Sequence, residues 1–269
     1  MKDEALALAE TSPDPGLKLN LLREYVQAFV LRSLSESEAF SQLSFVGGTA
    51  LGFLFGLPRF SEDLEFSLER DAGYEPAKWL DKLKRDLSLS GFTAELRWDD
   101  RRVVHSAWIR LSGLLQEAKL TTVPNQKLSI KLEIDSRPPA GAVLVKSVVN
   151  RHMLFALQYH DLPSLMSGKI HALITRPYTK GRDWYDLLWY RSQRPPVEPN
   201  VTMLDNAFLQ TQEEAVDTEQ WGRYVLEKLA TIDEQRMIND VRPFLERAED
   251  LSLMKRIHLE GLLQGGSEH

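Results

Sequence analysis

The chain has 269 residues, 43% of them hydrophobic and 27% charged, with no cysteine and a formal net charge of −6. That length suits one large domain or two modest ones with a substantial core, and the composition excludes disordered, collagen-like and coiled-coil classes. Without cysteine there is no disulfide framework, thiol catalysis, iron–sulfur cluster or thiolate zinc site, and the acidic total argues mildly against a general nucleic-acid binder.

The charge is unevenly spread. Between Arg151 and Arg194 seven Lys and Arg residues face three Asp, and after Pro195 the acids outnumber the bases about two to one. A basic middle between acidic flanks suits local phosphate binding. Met1-Lys2-Asp3-Glu4-Ala5 carries both signs and no apolar core, unlike a signal peptide. No stretch approaches the ~18 apolar residues of a membrane span, so a cytoplasmic protein with no membrane partner is expected.

Residues 1–16, ending in Ser12-Pro13-Asp14-Pro15-Gly16, read as a loose arm. Leu21, Leu22, Tyr25, Phe29, Val30 and Leu34 recur at helical spacing, predicting a helix over 17–34. Leu43 to Val46 reads as a short strand broken by Gly47-Gly48, and Thr49 to Leu57 as a helix stopped by Pro58. Asp63 to Leu68 alternates like a half-buried strand. A helix over 78–89 and strands over 92–98 and 103–111 follow. Leu128, Ile130, Leu132 and Ile134 alternate with Ser129, Lys131, Glu133 and Asp135, the clearest strand in the chain. Beyond Asp161 helical periods take over, and Pro195-Pro196-Val197-Glu198-Pro199 reads as a hinge into an acidic helical tail. Strands mixed with helices, then helices alone, predict an α+β fold with a helical C-terminal part. The expected division is an arm (1–16), an α+β core (17–160) and a helical C-terminal domain (161–269).

Five segments carry chemistry. A glycine pair between strand and helix lets a ligand approach the backbone, and free amides at a helix start favour phosphate; a tight turn is the plainer reading. On a strand, Asp63 and Glu65 share one face about 7 Å apart. Such a carboxylate pair either faces solvent or holds divalent metal for phosphoryl or nucleotidyl transfer. Lys131, Glu133 and Asp135 form a second such face, able to add a third carboxylate or a base. Leu162, Leu165, Met166, Ile170 and Leu173 form one helical stripe with Lys169 inside it and Arg176 further along. A lysine there must snorkel, pair or serve a site; read as a strained charge, its replacement by Met is expected to leave stability unchanged or raise it. Asp183 at the next helix start reads as a cap or a site residue, and Asp186 as a partner for Lys169 or Arg182.

Together these segments carry a resemblance that none carries alone. Phe45-Val46-Gly47-Gly48-Thr49-Ala50-Leu51 followed by Arg59-Phe60-Ser61-Glu62-Asp63-Leu64-Glu65-Phe66 resembles the first motif of the AbiEii/AbiGii-type toxin nucleotidyltransferases. Lys169-Ile170-His171-Ala172-Leu173, Arg176 and Lys180-Gly181-Arg182-Asp183-Trp184-Tyr185-Asp186-Leu187 are similar to the later motif, within 161–190. Arg23-Glu24-Tyr25 and Lys131-Leu132-Glu133-Ile134 sit where the family has similar segments. The resemblance covers about residues 17–190.

It implies the polymerase-β-like nucleotidyltransferase fold, a mixed sheet flanked by helices. It implies Mg²⁺-dependent transfer (Mn²⁺ as an alternative) of a nucleoside monophosphate from an NTP. The acceptor would be RNA, the tRNA 3′ end in some relatives, and a separately encoded antitoxin would accompany the protein in a toxin–antitoxin or phage-defence system. Carried over, Gly47, Gly48 and Thr49 hold the triphosphate with Arg59, Ser61 and Arg176. Asp63, Glu65 and Glu133 hold metal, and Lys169 neutralises phosphate charge. Arg182, Asp183 and Asp186 complete the later motif, with Lys169 and Asp186 counted as catalytic. The family usually has Asp where this chain has Glu65, so a non-catalytic NTP- or RNA-binding module is the alternative.

Overall fold

A computed structural model of the chain describes residues 1–211 and 216–264. It resolves into two compact units. The first comprises residues 1–56, 60–138 and 145–159, and the second residues 57–59, 139–144 and 160–269.

The first unit opens with α1 (Lys2–Ala9) and α2 (Pro15–Glu36). The expected loose arm is thus a helix over most of its length. Ala5 and Ala9, one turn apart, are fully buried in the core, and the Tyr25 hydroxyl donates to Glu4 Oε2 at 2.6 Å. Two alanines give too little apolar signal for a periodicity reading, yet they allow close helix approach. The Ser12–Gly16 run is a helix start: Asp14 Oδ1 accepts from the Leu17 amide at 2.7 Å, with Pro15 at the first helical position.

A seven-stranded mixed sheet follows in the order β3-β4-β5-β2-β1-β7-β6. Its strands are β1 (Leu43–Val46), β2 (Leu64–Leu68), β3 (Thr93–Asp99), β4 (Val104–Ser112), β5 (Leu128–Asp135), β6 (Leu144–Arg151) and β7 (Met153–His160). Helices α3 (Gly47–Phe55), α4 (Pro76–Leu89) and the single turn α5 (Leu114–Glu117) join them. β2 runs antiparallel to β1 and parallel to β5, while β4 lies antiparallel between β3 and β5. Alternation decides which side is core. Leu128, Ile130, Leu132 and Ile134 of β5 are buried with Phe45, Leu64 and Phe66 against Leu22, Val26 and Phe29 of α2 and Leu83 and Leu87 of α4. Each such side chain stabilises the fold by about 1.5–3 kcal/mol. The opposite face of β5 shows Ser129, Lys131, Glu133 and Asp135. Helix α2 is buried nearly all round, so Asn20, Glu24, Gln27 and Ser33 are enclosed with its apolar residues. Enclosed polar groups must find partners, and those of α2 fix parts of the site.

The second unit is helical after β7: α6 (Leu162–Thr175), α7 (Gly181–Ser192), α8 (Val201–Thr211), α9 (Trp221–Ala230), α10 (Glu234–Val241) and α11 (Arg256–Gln264). Asp161 caps α6 through the Ser164 amide at 2.9 Å, and Leu165, Met166, Ile170 and Leu173 are buried as the helical stripe requires. A Cβ at Gly181 would run into the Met237 carbonyl, so glycine lets α7 and α10 pack backbone to backbone. Among the described residues no helix is long and apolar enough to cross a membrane.

Candidate active site

Strand register brings the expected carboxylates together on the sheet. Glu65 of β2 has Val46 of β1 as its Cα partner on one side and Glu133 of β5 on the other. The two glutamates are therefore neighbours on the outward face, both half-buried, although β2 ends at residue 68 and β5 begins at residue 128. Adjacent like charges disfavour each other, which suits a cation between them. Glu133 also pairs with Lys131 on its own strand at 2.5 Å.

Asp63 lies one residue before β2 in a stretch pinned from two helices. The buried Gln27 amide donates to the Ser61 and Glu62 carbonyls at 3.1 and 3.0 Å, and the Thr49 hydroxyl donates to the Asp63 carbonyl. Thr49 is itself buried, so its side chain serves this tie, and what it offers a ligand is its backbone amide. Gly47 begins α3 at φ +78°, and a Cβ there would overlap the Glu65 carboxylate. The first motif's glycine thus leaves room for the second motif's glutamate. Helix α3 has no side-chain cap, the residue before it being Val46, so its first amides remain the anion-seeking groups of an open helix start.

The donors in this row, all carboxylate oxygens, have the chemistry that a hard divalent cation takes. Among the described residues, however, no group of three or more acidic or histidine side chains is assembled to hold a metal. The expected set of Asp63, Glu65 and Glu133 is not closed on one point, because the longer Glu65 leans over Gly47 and Glu133 is drawn to Lys131.

The later motif folds into an ion network inside the second unit. Lys169 of α6 reaches Asp183 at 2.8 Å and Asp186 at 2.9 Å, both on α7. Arg59 grips Asp186 with two bonds of 2.6 Å, and Arg176 pairs with Asp183. Asp186 is 0% exposed and Arg59 3%. Burial alone would raise both aspartate pKa values. The charges of Lys169, Lys180 and Arg176 on Asp183, and of Arg59 and Lys169 on Asp186, reverse that and hold both carboxyls below the usual range. Arg59 and Asp186, expected to bind nucleotide and to act in catalysis, face each other away from solvent. Arg182 stacks 4.1 Å over Phe244 and lies 3.7 Å from Asp240. Arg176, partly exposed, lines a small pocket with Tyr178, Lys180 and Lys228.

Two groups escaped the sequence reading. Gln27 is one; its signal is a polar residue inside an otherwise buried helix. The other is a clamp on the turn after β6: Glu24 accepts twice from Arg151, at 2.9 Å each, and meets His152 at 2.7 Å. Burial raises the Glu24 pKa, and its bonds to His152 and Arg151 outweigh this and lower it. His152 turns the chain at φ +63°.

Residues 29–255 match the family described as the AbiEii nucleotidyl transferase toxin of type IV toxin–antitoxin systems. The chain belongs to this family. AbiEii proteins are nucleotidyltransferases, and the carboxylate row beside the glycine pair is where this chain carries the motif. A crystal structure of a candidate nucleotidyltransferase from H. pylori superimposes with a TM-score of 0.58 at 18% identity, covering 91% of this chain and 93% of that one. JHP933 from Helicobacter pylori gives 0.56 at 18%, covering 91% and 90%. These likenesses are of fold. No curated protein matches the chain in sequence.

Proposed function

We propose that this AbiEii protein transfers a nucleoside monophosphate from an NTP to RNA, with the 3′ end of tRNA as acceptor, and that Mg²⁺ (or Mn²⁺) is the metal. The observation that supports it best is the register pairing of Glu65 with Glu133 next to the uncapped start of α3.

The amides of Gly47, Gly48 and Thr49 hold the triphosphate, since a helix start combines free N–H donors with the positive end of the dipole. Asp63, Glu65 and Glu133 would hold the divalent ion, which when bound neutralises charge on the reacting phosphate. Glu133 lies where a base for the attacking hydroxyl is needed. The acceptor oxygen bonds the α-phosphorus, the bond to the bridging oxygen breaks, pyrophosphate leaves, and the hydroxyl proton passes to the carboxylate. In the second unit Arg176 and Lys180 supply positive charge for phosphate. Lys169, Asp183, Asp186 and Arg59 act as positioning residues that set α7 against α6. A separately encoded antitoxin is the functional counterpart that a type IV system implies.

The test is label transfer from each of the four α-labelled NTPs to total RNA, with Mg²⁺ or Mn²⁺, by wild type and Asp63→Asn. Wild type labels an RNA, and the variant loses about three orders of magnitude, since a metal-centred stabilisation is worth several kcal/mol. Thermal melting of the variant stays close to wild type. Equal labelling by both proteins would remove Asp63 from the site.

A further inference from the structure

Fixed register sorts the outward side chains of β3, β4 and β5 into rows across the sheet. The row of Glu65 and Glu133 continues through Ser106 to Asp99. The next row holds Lys131, Trp108 and Arg97, and the one beyond it Ser129, Arg110 and Glu95. Successive rows are about 7 Å apart, two residues along each strand.

Trp108 is the unexpected member. It is 37% exposed on a strand whose core contacts are made by Ala107, Ile109 and Leu111, all buried. The fold therefore does not need an indole there. The Arg110 guanidinium and the Lys131 ammonium each lie 5.7 Å from its ring centre, and Arg97 is its exposed cross-strand partner. The acids nearby are largely engaged elsewhere: Glu95 with Lys127 at 2.7 Å, and Glu133 with Lys131.

We propose that this patch is the platform for the single-stranded end of the RNA acceptor, one base stacking on Trp108 and the flanking phosphates meeting Arg97, Arg110 and Lys131. An exposed aromatic ringed by cations is the arrangement that holds unpaired nucleic acid, and splayed bases stacked on aromatic side chains are how RNA ends are read. The position agrees with the chemistry. The triphosphate-binding start of α3 follows β1 on one side of the carboxylates, and Trp108 stands on β4 on the other, in the order β4-β5-β2-β1. In-line displacement needs the attacking hydroxyl opposite the departing pyrophosphate, which is the β4 side. The platform rests on the RNA-transfer reading above, and its test is made on binding so that the two fall separately.

The experiment measures anisotropy of a labelled single-stranded RNA 12-mer and a blunt RNA duplex with the full chain, without NTP, over a salt series. The proteins are wild type, Trp108→Ala, Trp108→Phe and the double variant Arg97→Gln/Arg110→Gln, with NTP binding measured alongside. Single-strand affinity falls about tenfold in Trp108→Ala and is largely restored by Trp108→Phe, which also shows that the sheet tolerates the position. In the double variant the slope of log affinity against log salt shrinks by about one. NTP binding is unchanged in all. The platform is overturned if Trp108→Ala binds single strands like wild type, if wild type binds duplex alone or no RNA, or if only NTP binding is lost, which would make Trp108 a seat for the incoming base. If the binding contrast appears but no NTP labels RNA, the transfer reading falls and the platform stands.

Discussion

Glu65 and Glu133 stand side by side on a half-exposed sheet face with Lys131 as the cation at hand, whereas Asp183 and Asp186 lie buried and share Lys169, Arg176 and Arg59. Both regions carry motif residues of the same family and both concentrate charge, but they answer it differently. A carboxylate pair left short of cations on an accessible face has a vacancy that a ligand can fill. A carboxylate pair enclosed with matching cations has none, and removing one partner leaves an uncompensated buried charge. Motif membership alone therefore does not distinguish a residue that meets substrate from one that holds a helix in place.

Substitutions can break this contrast. The largest stability effect is expected at Asp186, where Asn would deprive Arg59 and Lys169 of their shared partner at a cost of about 3–5 kcal/mol. Urea unfolding would show it, and a loss below about 1 kcal/mol would mean the network is not architectural. Lys169→Met comes next. The sequence reading expects no loss, or a gain, from replacing a strained charge. The structure reverses that, because Lys169 serves two buried aspartates on α7. A loss of about 2 kcal/mol is expected, less than at Asp186 because Arg59 and Arg176 still reach the two carboxylates. Melting of the variant at or above wild type would restore the strained-charge view.

Acid should sharpen the same contrast. The Asp183 carboxyl titrates below its ordinary value, so the stability it contributes is fully present above the unfolded pKa near 4 and is lost as pH falls through the lower, folded one. The stability gap between wild type and Asp183→Asn should stay flat from about pH 7 to 5 and close only below about pH 4. A gap that closes near neutrality would contradict the depressed titration. The smallest effect is expected on the sheet. Glu65→Asp withdraws the carboxylate from Gly47 and restores the usual family ligand, so the transfer rate should hold or rise by up to about tenfold across Mg²⁺ and Mn²⁺ titrations. If wild type and Glu65→Asp are both inactive with every metal, the enzyme reading gives way to the binding module.

Elements whose residues signal in their own neighbourhood were legible in the sequence. β5 announces itself by strict alternation and α6 by its stripe, with Asp161 and the prolines marking its bounds. The arm misled because α1 buries two alanines. The pairing of Glu65 with Glu133 could be suspected but not read, since register between strands sixty residues apart is set by the whole sheet. Arg59 shows the opposite failure. Its place in a motif suggested contact with nucleotide, while its partner Asp186 comes from a helix more than a hundred residues later. Trp108 sits at an ordinary strand position in sequence, and only its exposure and its three cationic neighbours set it apart.

The parallel seam between β2 and β5 also has a consequence for time. Pairings that close long stretches of chain form late in folding, and this one cannot begin until the ribosome has delivered residues beyond 128. A nascent or truncated chain ending before β5 holds the glycine pair, α3 and Glu65 but lacks the neighbouring strand that brings Glu133 to them. For a toxin this is a built-in delay: more than the first 120 residues can be synthesised, and even begin to fold, before the carboxylate row exists.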